Sequence, residues 1–440
     1  MKLSMVSLGC DKNTVDAEMM VGLMQSHGFE YTLEETEADI MIVNTCGFIQ
    51  EAKEESIQAI LEAARLKEEA RLKVLIVTGC LAQRYKEEIL REIPEVDALL
   101  GTSSFDKIVE TARGALEGRE SNAFLDLNRL PVISAARVNS TGGYSAYLKI
   151  AEGCNKGCTY CAIPGMRGPY RSYPMENLLE QAGQLAAQGV KELILVAQET
   201  TLYGVDLYQK KSLPALLKAL CKIQGIVWIR ILYCYPEEIT EELLDVMAQE
   251  EKICHYLDIP IQHASDAVLQ RMARRTSRAQ LEEMIRKIRK KIPDIALRTT
   301  LIAGFPGERE EDVNILADFI RSMKLERLGV FTYSEEEGTP AAGFADQVPE
   351  EEKEARRERL MGIQQEISIE HLKRQVGREM QVLIEGWLPE EEVYAARSYM
   401  DLPGVDGYVF VKSHKKFISG DFCRVRIVDS SEYDLVGELL

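Results

Sequence analysis

Nowhere in its 440 residues does the chain hold an uninterrupted apolar run of the ~18 residues that a membrane-crossing helix needs. It also lacks any excess of positive charge: 53 Lys and Arg stand against 71 Asp and Glu, a formal net charge of −18. That balance opposes wholesale attraction to nucleic acid, whose binders carry basic surface. It suits solubility alone or a basic partner. No export signal is expected either, because the apolar stretch Leu3 to Leu8 is shorter than a signal core and Asp11 follows at once. A buried strand is expected there instead. Without a signal, the ten cysteines are expected in a reducing cytoplasm, where they serve metals or chemistry more than disulfides. At this length a single core is not expected, so the chain divides into several domains.

What the chain does have is clustered cysteine. Cys154, Cys158 and Cys161 share the loop Gly153-Cys154-Asn155-Lys156-Gly157-Cys158-Thr159-Tyr160-Cys161, too tight and too odd in number for closed disulfide pairing. Three thiols there suit a soft metal centre. Structural zinc asks for four protein ligands, whereas a cubane cluster on three thiolates keeps one iron open to a small molecule. A second trio is dispersed. Strands are expected at Lys2–Leu8, Asp39–Asn44 and Lys73–Val77, and each runs on into a cysteine: Cys10, Cys46 and Cys80. Helical patterns separate them, at Thr14–His27, Gln50–Lys67, Ala82–Glu92 and Phe105–Leu116. In a parallel α/β sheet the carboxyl ends of the strands share one edge, so these cysteines would form a second three-thiolate site. Spacing alone leaves a zinc site open here. Cys221, Cys234, Cys254 and Cys423 have no ligand spacing and read as structural.

The expected organisation is an α/β chain of three parts. Residues 1–126 form an N-terminal parallel α/β domain, and 127–143, ending Ser140-Thr141-Gly142-Gly143, a linker. Residues 144–370 carry six strand candidates: Tyr147–Glu152, Glu192–Gln198, Trp228–Tyr233, Tyr256–Gln262, Leu297–Ala303 and Leu328–Tyr333. Six units are too few to close an eightfold barrel, so a partial (β/α)6 barrel is expected, with the cysteine loop at its carboxyl-end face. An amphipathic helix over Pro349–Val376 follows, with Leu360, Ile363, Ile367 and Leu372 on its apolar stripe. Residues 371–440 read as a small β-barrel, with strands at Gln381–Ile384, Tyr408–Lys412 and Cys423–Val428.

The spacing Cys154-x3-Cys158-x2-Cys161, with Tyr160 before the last cysteine, resembles the cluster loop of radical S-adenosylmethionine enzymes. With the N-terminal trio and the C-terminal β-domain, the whole chain resembles the methylthiotransferases of that superfamily. Gly9 to Asn13, Gln262 to Asp266, Tyr333 to Thr339 and Arg397 to Asp401 resemble the branch that modifies an aspartate of small-subunit ribosomal protein S-twelve. The resemblance implies two 4Fe-4S clusters, one on Cys154, Cys158 and Cys161 and one on Cys10, Cys46 and Cys80. It implies S-adenosylmethionine on the open iron of the first, a 5'-deoxyadenosyl radical that takes hydrogen from Cβ of the aspartate, and sulfur from the second. A further S-adenosylmethionine would give the methyl, and an electron donor is required.

The resemblance also implies cofactor contacts at Tyr160 beside the adenine, at Gln198, Glu199 and Thr200, at Gln262, and at Ile302, Gly304 and Glu308. Glu199 stands where the family usually has Asp. The glycines near Gly304 suit close approach to adenosine and, equally, a tight turn. His263 reads as functional or as a satisfied structural histidine. Arg167, Arg171, Arg274 and Arg275 could line a route for an acidic target side chain or the cofactor carboxylate, since arginine's fork suits carboxylates. The C-terminal barrel resembles a TRAM domain. From His371 to Leu440 nine Lys and Arg face twelve Asp and Glu, which favours a basic ribosomal protein, free or on the small subunit, over tRNA as the partner.

Overall fold

The computed structural model describes residues 1–132 and 137–440, so residues 133–136 of the expected linker lie outside the described residues. The first sheet has five parallel strands, β1 (Lys2–Ser7), β2 (Glu30–Tyr31), β3 (Ile40–Thr45), β4 (Val74–Gly79) and β5 (Ala98–Leu100), in the order β2-β1-β3-β4-β5. The central pair, IMIVNT and VLIVTG, is buried at every position, because helices cover both faces. Helices span Asp11–Ser26, Gln50–Glu69 and Cys80–Glu92, while the last expected helix divides into a 3-10 turn at Phe105–Lys107 and a helix at Ile108–Leu116.

The helix Asp11–Ser26 is unusual in burying Lys12, Asn13, Asp16 and Glu18 along with Val15, Met19 and Met20. Its apolar side packs on the first sheet. Its polar side meets the central sheet, whose first strand is β6 (Ser145–Lys149). A short antiparallel pair follows, β7 (Ala151–Glu152) with β8 (Arg171–Ser172), bracketing the cysteine loop. Then come β9 (Glu192–Val196), β10 (Trp228–Ile231), β11 (Ile253–Asp258), β12 (Ala296–Ala303) and β13 (Arg327–Thr332). These five and β6 form an open, all-parallel, six-stranded sheet in sequential order.

Alternation along the strands builds two cores. Leu193, Leu195, Ile229, Ile231 and Leu257 face the surrounding helices. Ile194, Val196, Trp228, Cys254, Tyr256 and Ala296 share a second core with Val382, Ile384, Met400 and Leu402 from the C-terminal part. That part is a closed five-stranded barrel of β14 (Glu379–Leu388), β15 (Val393–Arg397), β16 (Val409–Lys412), β17 (Phe422–Ser430) and β18 (Leu435–Leu439). Strands β15 and β18 are additions to the sequence expectation.

The small barrel is tied to the first residues of the central strands. Glu192, which opens β9, is fully buried between Arg230 (3.0 Å) and Arg397 (2.7 Å). Burial alone would raise its pKa, but the two guanidinia overcome that and hold it at about 2. The helix Glu350–Lys373 leads into this barrel, and its buried stripe is part polar: Lys353, Arg356 and Gln364 lie with Leu360, Ile367 and Leu372, while Ile363 is half-buried. With the small barrel at the amino ends of the strands, their carboxyl ends are left for chemistry. Among the described residues, no helix is long and apolar enough to cross a membrane.

Candidate functional site

The loop after β7 gathers Cys154, Cys158 and Cys161 by local bonds. The Cys161 N–H donates to Cys158 O at 3.1 Å, and the Cys154 N–H to Gly168 O at 3.2 Å. Thr159 clamps the loop to the sheet-side segment, donating from its N–H to Met272 O (3.2 Å) and from its hydroxyl to Arg271 O (2.8 Å). Burial pushes the Cys154 thiol up to about 11 and that of Cys161 to about 12, and the neighbouring Cys158 adds to both. Such thiols hold their protons until a metal displaces them.

Cys10, Cys46 and Cys80 come together by fold rather than by loop. Cys10 caps the helix Asp11–Ser26 and Cys80 opens the helix Cys80–Glu92, and burial pushes the Cys80 thiol up. The Ser56 hydroxyl holds Cys46 by accepting from its N–H (3.0 Å) and donating to its carbonyl (2.9 Å). Glycine permits the close approach. At Gly9 (φ +88°) a Cβ would lie 2.7 Å from Cys46 Cβ, and at Gly79 (φ +95°) one would collide with the Thr45 carbonyl. Asn13 pins two of the loops together, donating to Leu8 O and to Thr45 O, each at 2.9 Å. Its Oδ1 lies 4.0 Å from Cys80 Sγ.

The two trios are joined through buried charge. Arg167 ends the short helix that follows Cys161, and its guanidinium donates to Asn13 Oδ1 and to Asp16 Oδ2 (2.7 Å), with Glu152 at 3.4 Å. Lys149 pairs with both Asp16 and Glu152. On another side Glu336, after β13, accepts from Lys53 (3.0 Å) and Arg84 (2.7 Å), and Arg84 also donates to Gly47 O at 3.0 Å. That ion triad fixes the Cys46 loop and the Cys80 helix to the central domain. Above β10, Tyr233 has a left-handed backbone (φ +59°), donates its hydroxyl to Asp11 (3.0 Å) and has the Lys12 ammonium 3.3 Å from its ring centroid.

The carboxyl ends of β9, β11 and β12 carry polar atoms that are buried and have no hydrogen-bond partner among the described residues: Gln198 Oε1, Glu199 Oε2, Thr200 Oγ1, His263 Nε2 and Glu308 Oε2. Buried polar groups are ordinarily paired, so five such atoms at one sheet end make it the candidate wall for a ligand. Glu199 uses its other oxygen for the Thr201 N–H (2.9 Å) and hydroxyl, and burial pushes its carboxyl up to about 7. Lys156 of the cysteine loop stands 3.7 Å from its free oxygen. His263 accepts from the Ser265 N–H at Nδ1 (2.9 Å), which puts its proton on Nε2. That nitrogen is 3.2 Å from Glu308 Oε2, but the pair is not aligned for a hydrogen bond. Glu308 is held by the Gly304 N–H (3.0 Å) and Arg356 (2.9 Å). Gln262 (φ +72°) is not within a strand as expected. It bridges β12 by accepting from the Ile302 N–H (2.8 Å) and donating to Thr300 O (2.9 Å). Tyr160 and Ile302 pack together with Phe305 and Tyr333.

The four arginines fare differently from expectation. Arg167 is buried in the ion network just described, because two acids and Asn13 claim its fork. Arg171 donates to the carbonyls of Pro169 and Arg167 (2.5 and 3.1 Å), serving its own turn. Arg274 donates to Pro260 O (2.9 Å) and stacks 4.3 Å from the Tyr235 ring centre, with Cys158 Sγ 4.0 Å away. Arg275 is exposed in a surface cleft with Pro236, Thr276 and Lys287. Sequence reasoning assigned no role to Lys12, Asn13, Asp16 or Tyr233. The signal available was that three polar residues fall on one helix immediately after a ligand-like cysteine.

Three family models match the chain in series: the uncharacterized protein family UPF0004 over residues 2–101, the radical SAM superfamily over 148–320, and the TRAM domain over 376–440. Among solved structures, the radical S-adenosylmethionine methyltransferase TsrM of Kitasatospora setae, with cobalamin and a [4Fe-4S] cluster bound, is similar in fold. It has a TM-score of 0.59 and 15% identity, over 77% of this chain and 73% of that one. The cobalamin-dependent enzyme OxsB, with S-adenosylmethionine bound, reaches a TM-score of 0.55 at 13% identity, over 78% of this chain and 54% of that one. The ribosomal protein uS12 methylthiotransferase RimO of Lachnoclostridium phytofermentans is 60% identical over 99% of both chains. The enzymes of the same name from Pelotomaculum thermopropionicum (99% of both chains) and Geobacter sulfurreducens (100% of this chain, 98% of that one) are 51% and 48% identical. At such identity over the full length, the chain belongs to the RimO family of radical SAM methylthiotransferases.

Proposed function

We propose that this chain adds a methylthio group to Cβ of an aspartate in ribosomal protein uS12, in the cytoplasm, using S-adenosylmethionine and an external one-electron donor. The observation that carries the reading is the joining of two thiol trios across one buried interface, in a chain like the uS12 enzymes from end to end. The residues suit two 4Fe-4S clusters. Cys154, Cys158 and Cys161 are the donor set for one, and Cys10, Cys46 and Cys80 for the other; three thiolates each leave an iron position for a small ligand. When bound, the first cluster and S-adenosylmethionine supply one-electron chemistry that removes hydrogen from an unactivated carbon, and the second supplies the sulfur.

The protein's own part is to bind and orient. The free oxygen of Glu199 is an acceptor for the ammonium of the cofactor's methionine, next to the loop trio. Gln198 and Thr200 add unused polar atoms on the same turn. Tyr160 and Ile302 offer the apolar surface suited to an adenine, and Gln262, Gly304 and Glu308 bound the same wall. Domain limits of 1–126, 144–370 and 371–440, with 127–143 between, divide these tasks into sulfur supply, radical generation and substrate docking. The acidic C-terminal barrel favours a basic ribosomal protein over tRNA.

The test is anaerobic incubation of the reduced, cluster-loaded enzyme with S-adenosylmethionine and either uS12 or tRNA. A methylthio mass gain on uS12 is expected. A gain on tRNA alone would overturn the substrate, and absence of 5'-deoxyadenosine would overturn the enzyme.

A further inference from the structure

Four lysines of the described chain are nine-tenths or more buried: Lys12, Lys53, Lys149 and Lys353. Three of them have a carboxylate within 4.0 Å: Glu336 for Lys53, Asp16 and Glu152 for Lys149, Glu350 for Lys353. Lys12, at 5% exposure, has none among the described residues and makes no hydrogen bond. The nearest acid in sequence, Asp11, is engaged by the Tyr233 hydroxyl and lies beside Tyr147. What Lys12 has is the face of Tyr233, with its ammonium 3.3 Å from the ring centre. A ring face is a weaker partner for an ammonium than the carboxylates that the other three lysines hold. An ammonium that holds no carboxylate of its own chain is open to an anion from outside it.

Its position says which one. Lys12 is two residues from Cys10, in the first turn of the helix that this cysteine of the dispersed trio caps. Its aromatic partner belongs to the other domain: Tyr233 follows β10, its carbonyl accepts from the Thr200 N–H at 3.1 Å, and its own N–H donates to Asp258 at 3.1 Å. The ammonium thus stands where the sulfur-side loop meets the cofactor wall. A carbon that is to lose hydrogen to one side and gain sulfur from the other has to reach that seam. Tyr233 is held in a left-handed backbone, a strain tolerated where the surroundings fix a functional geometry.

We propose that Lys12 is the residue that binds the carboxylate of the target aspartate and so sets the enzyme's preference for an acidic side chain. This rests on the function proposed above. The aspartate enters as the missing anion of the Lys12–Tyr233 pair, and its Cβ, one bond from the carboxylate carbon, is thereby held at the seam between the two sites. Arg167 does not compete for it, since its fork is occupied by Asp16 and Asn13, and Arg274 stands at the loop trio instead, 4.0 Å from Cys158 Sγ and stacked on Tyr235.

The experiment compares binding of uS12 and of uS12 with the target Asp→Asn to the cluster-loaded enzyme. Wild type is expected to bind the native protein about thirtyfold or more tightly than the Asn form, the loss typical of a buried charge pair left with one partner. Lys12→Met should erase that ratio, raising KM for uS12, and Lys12→Arg should restore most of it; iron content and thermal midpoint report on folding of each variant. Equal binding of both forms by wild type, or an unchanged ratio in Lys12→Met, overturns the inference. The first comparison needs no variant to fold. If wild type neither binds nor modifies uS12, the proposed function falls and takes this inference with it; if it modifies uS12 while Lys12→Met keeps the ratio, only the inference falls.

Discussion

Cys154, Cys158 and Cys161 are held by one loop, whereas Cys10, Cys46 and Cys80 are held by three. The loop trio owes its shape to bonds a few residues long, such as Cys161 N–H to Cys158 O, with Thr159 as its anchor. The dispersed trio owes its shape to a parallel sheet, to Gly9 and Gly79 at the crossing points, and to Asn13 bonding to Thr45, 32 residues away. A local site tolerates motion elsewhere in the chain. A dispersed site inherits every weakness of the fold that assembles it.

The largest effects should come from the thiols themselves. Cys154→Ala should abolish 5'-deoxyadenosine formation and remove roughly half of the reconstituted iron. Cys10→Ala should remove the other half, abolish methylthio transfer and leave 5'-deoxyadenosine formation measurable. Retention of full iron in either variant would break the division into two sites. Next comes Glu336→Ala, which strands Lys53 and Arg84 in a buried interface; unfolding in denaturant should show a loss of about 3–5 kcal/mol. Asn13→Ala should cost less, about 1–3 kcal/mol from carbonyls left unpaired. Its loss should be selective: iron falls at the dispersed trio and stays at the loop trio, read by Mössbauer spectra of the variant. Equal loss at both would show that Asn13 acts on the fold as a whole.

The smallest effect lies on the side of the loop trio. Glu199 ionises near 7 in the folded chain because it is buried, against about 4.3 when unfolded. Between those values the folded state holds the extra proton, so this carboxyl's contribution to stability falls as pH rises from about 4 to about 7 and is level above. The thermal midpoint of cluster-free Glu199→Gln should therefore gain on wild type through that interval and run parallel to it beyond. Parallel curves throughout would mean that Glu199 is not buried as described.

The same contrast decides what could be read before folding. The loop trio is legible because its ligands fall within one turn of chain, and the partial barrel because strand and helix patterns alternate six times. The dispersed trio is legible at one remove, through the rule that parallel strands share a carboxyl edge. What escapes is pairing at long range. Arg167 could be named from sequence as an arginine near a cysteine loop, but nothing local says that Asp16, 151 residues away, takes it out of the substrate's path. Lys12 escapes for a related reason: its meaning is an absence of partners, visible only once every other buried lysine has found one. Gln262 reads as strand because its apolar neighbours continue the pattern, while a left-handed backbone ends it.

Asp16 has a consequence for how the molecule could be divided. It contributes one of the two negative charges that balance Lys149 and Arg167, and it lies in the first 20 residues while the groups it serves lie past residue 144. A fragment cut to begin at the central sheet would expose two cations to a single acid, Glu152, at the foot of its own cysteine loop. The central sheet is thus no freestanding cassette. A gene fusion or split that moves these two domains apart has to carry the helix Asp11–Ser26 with the barrel, or supply a carboxylate in its place.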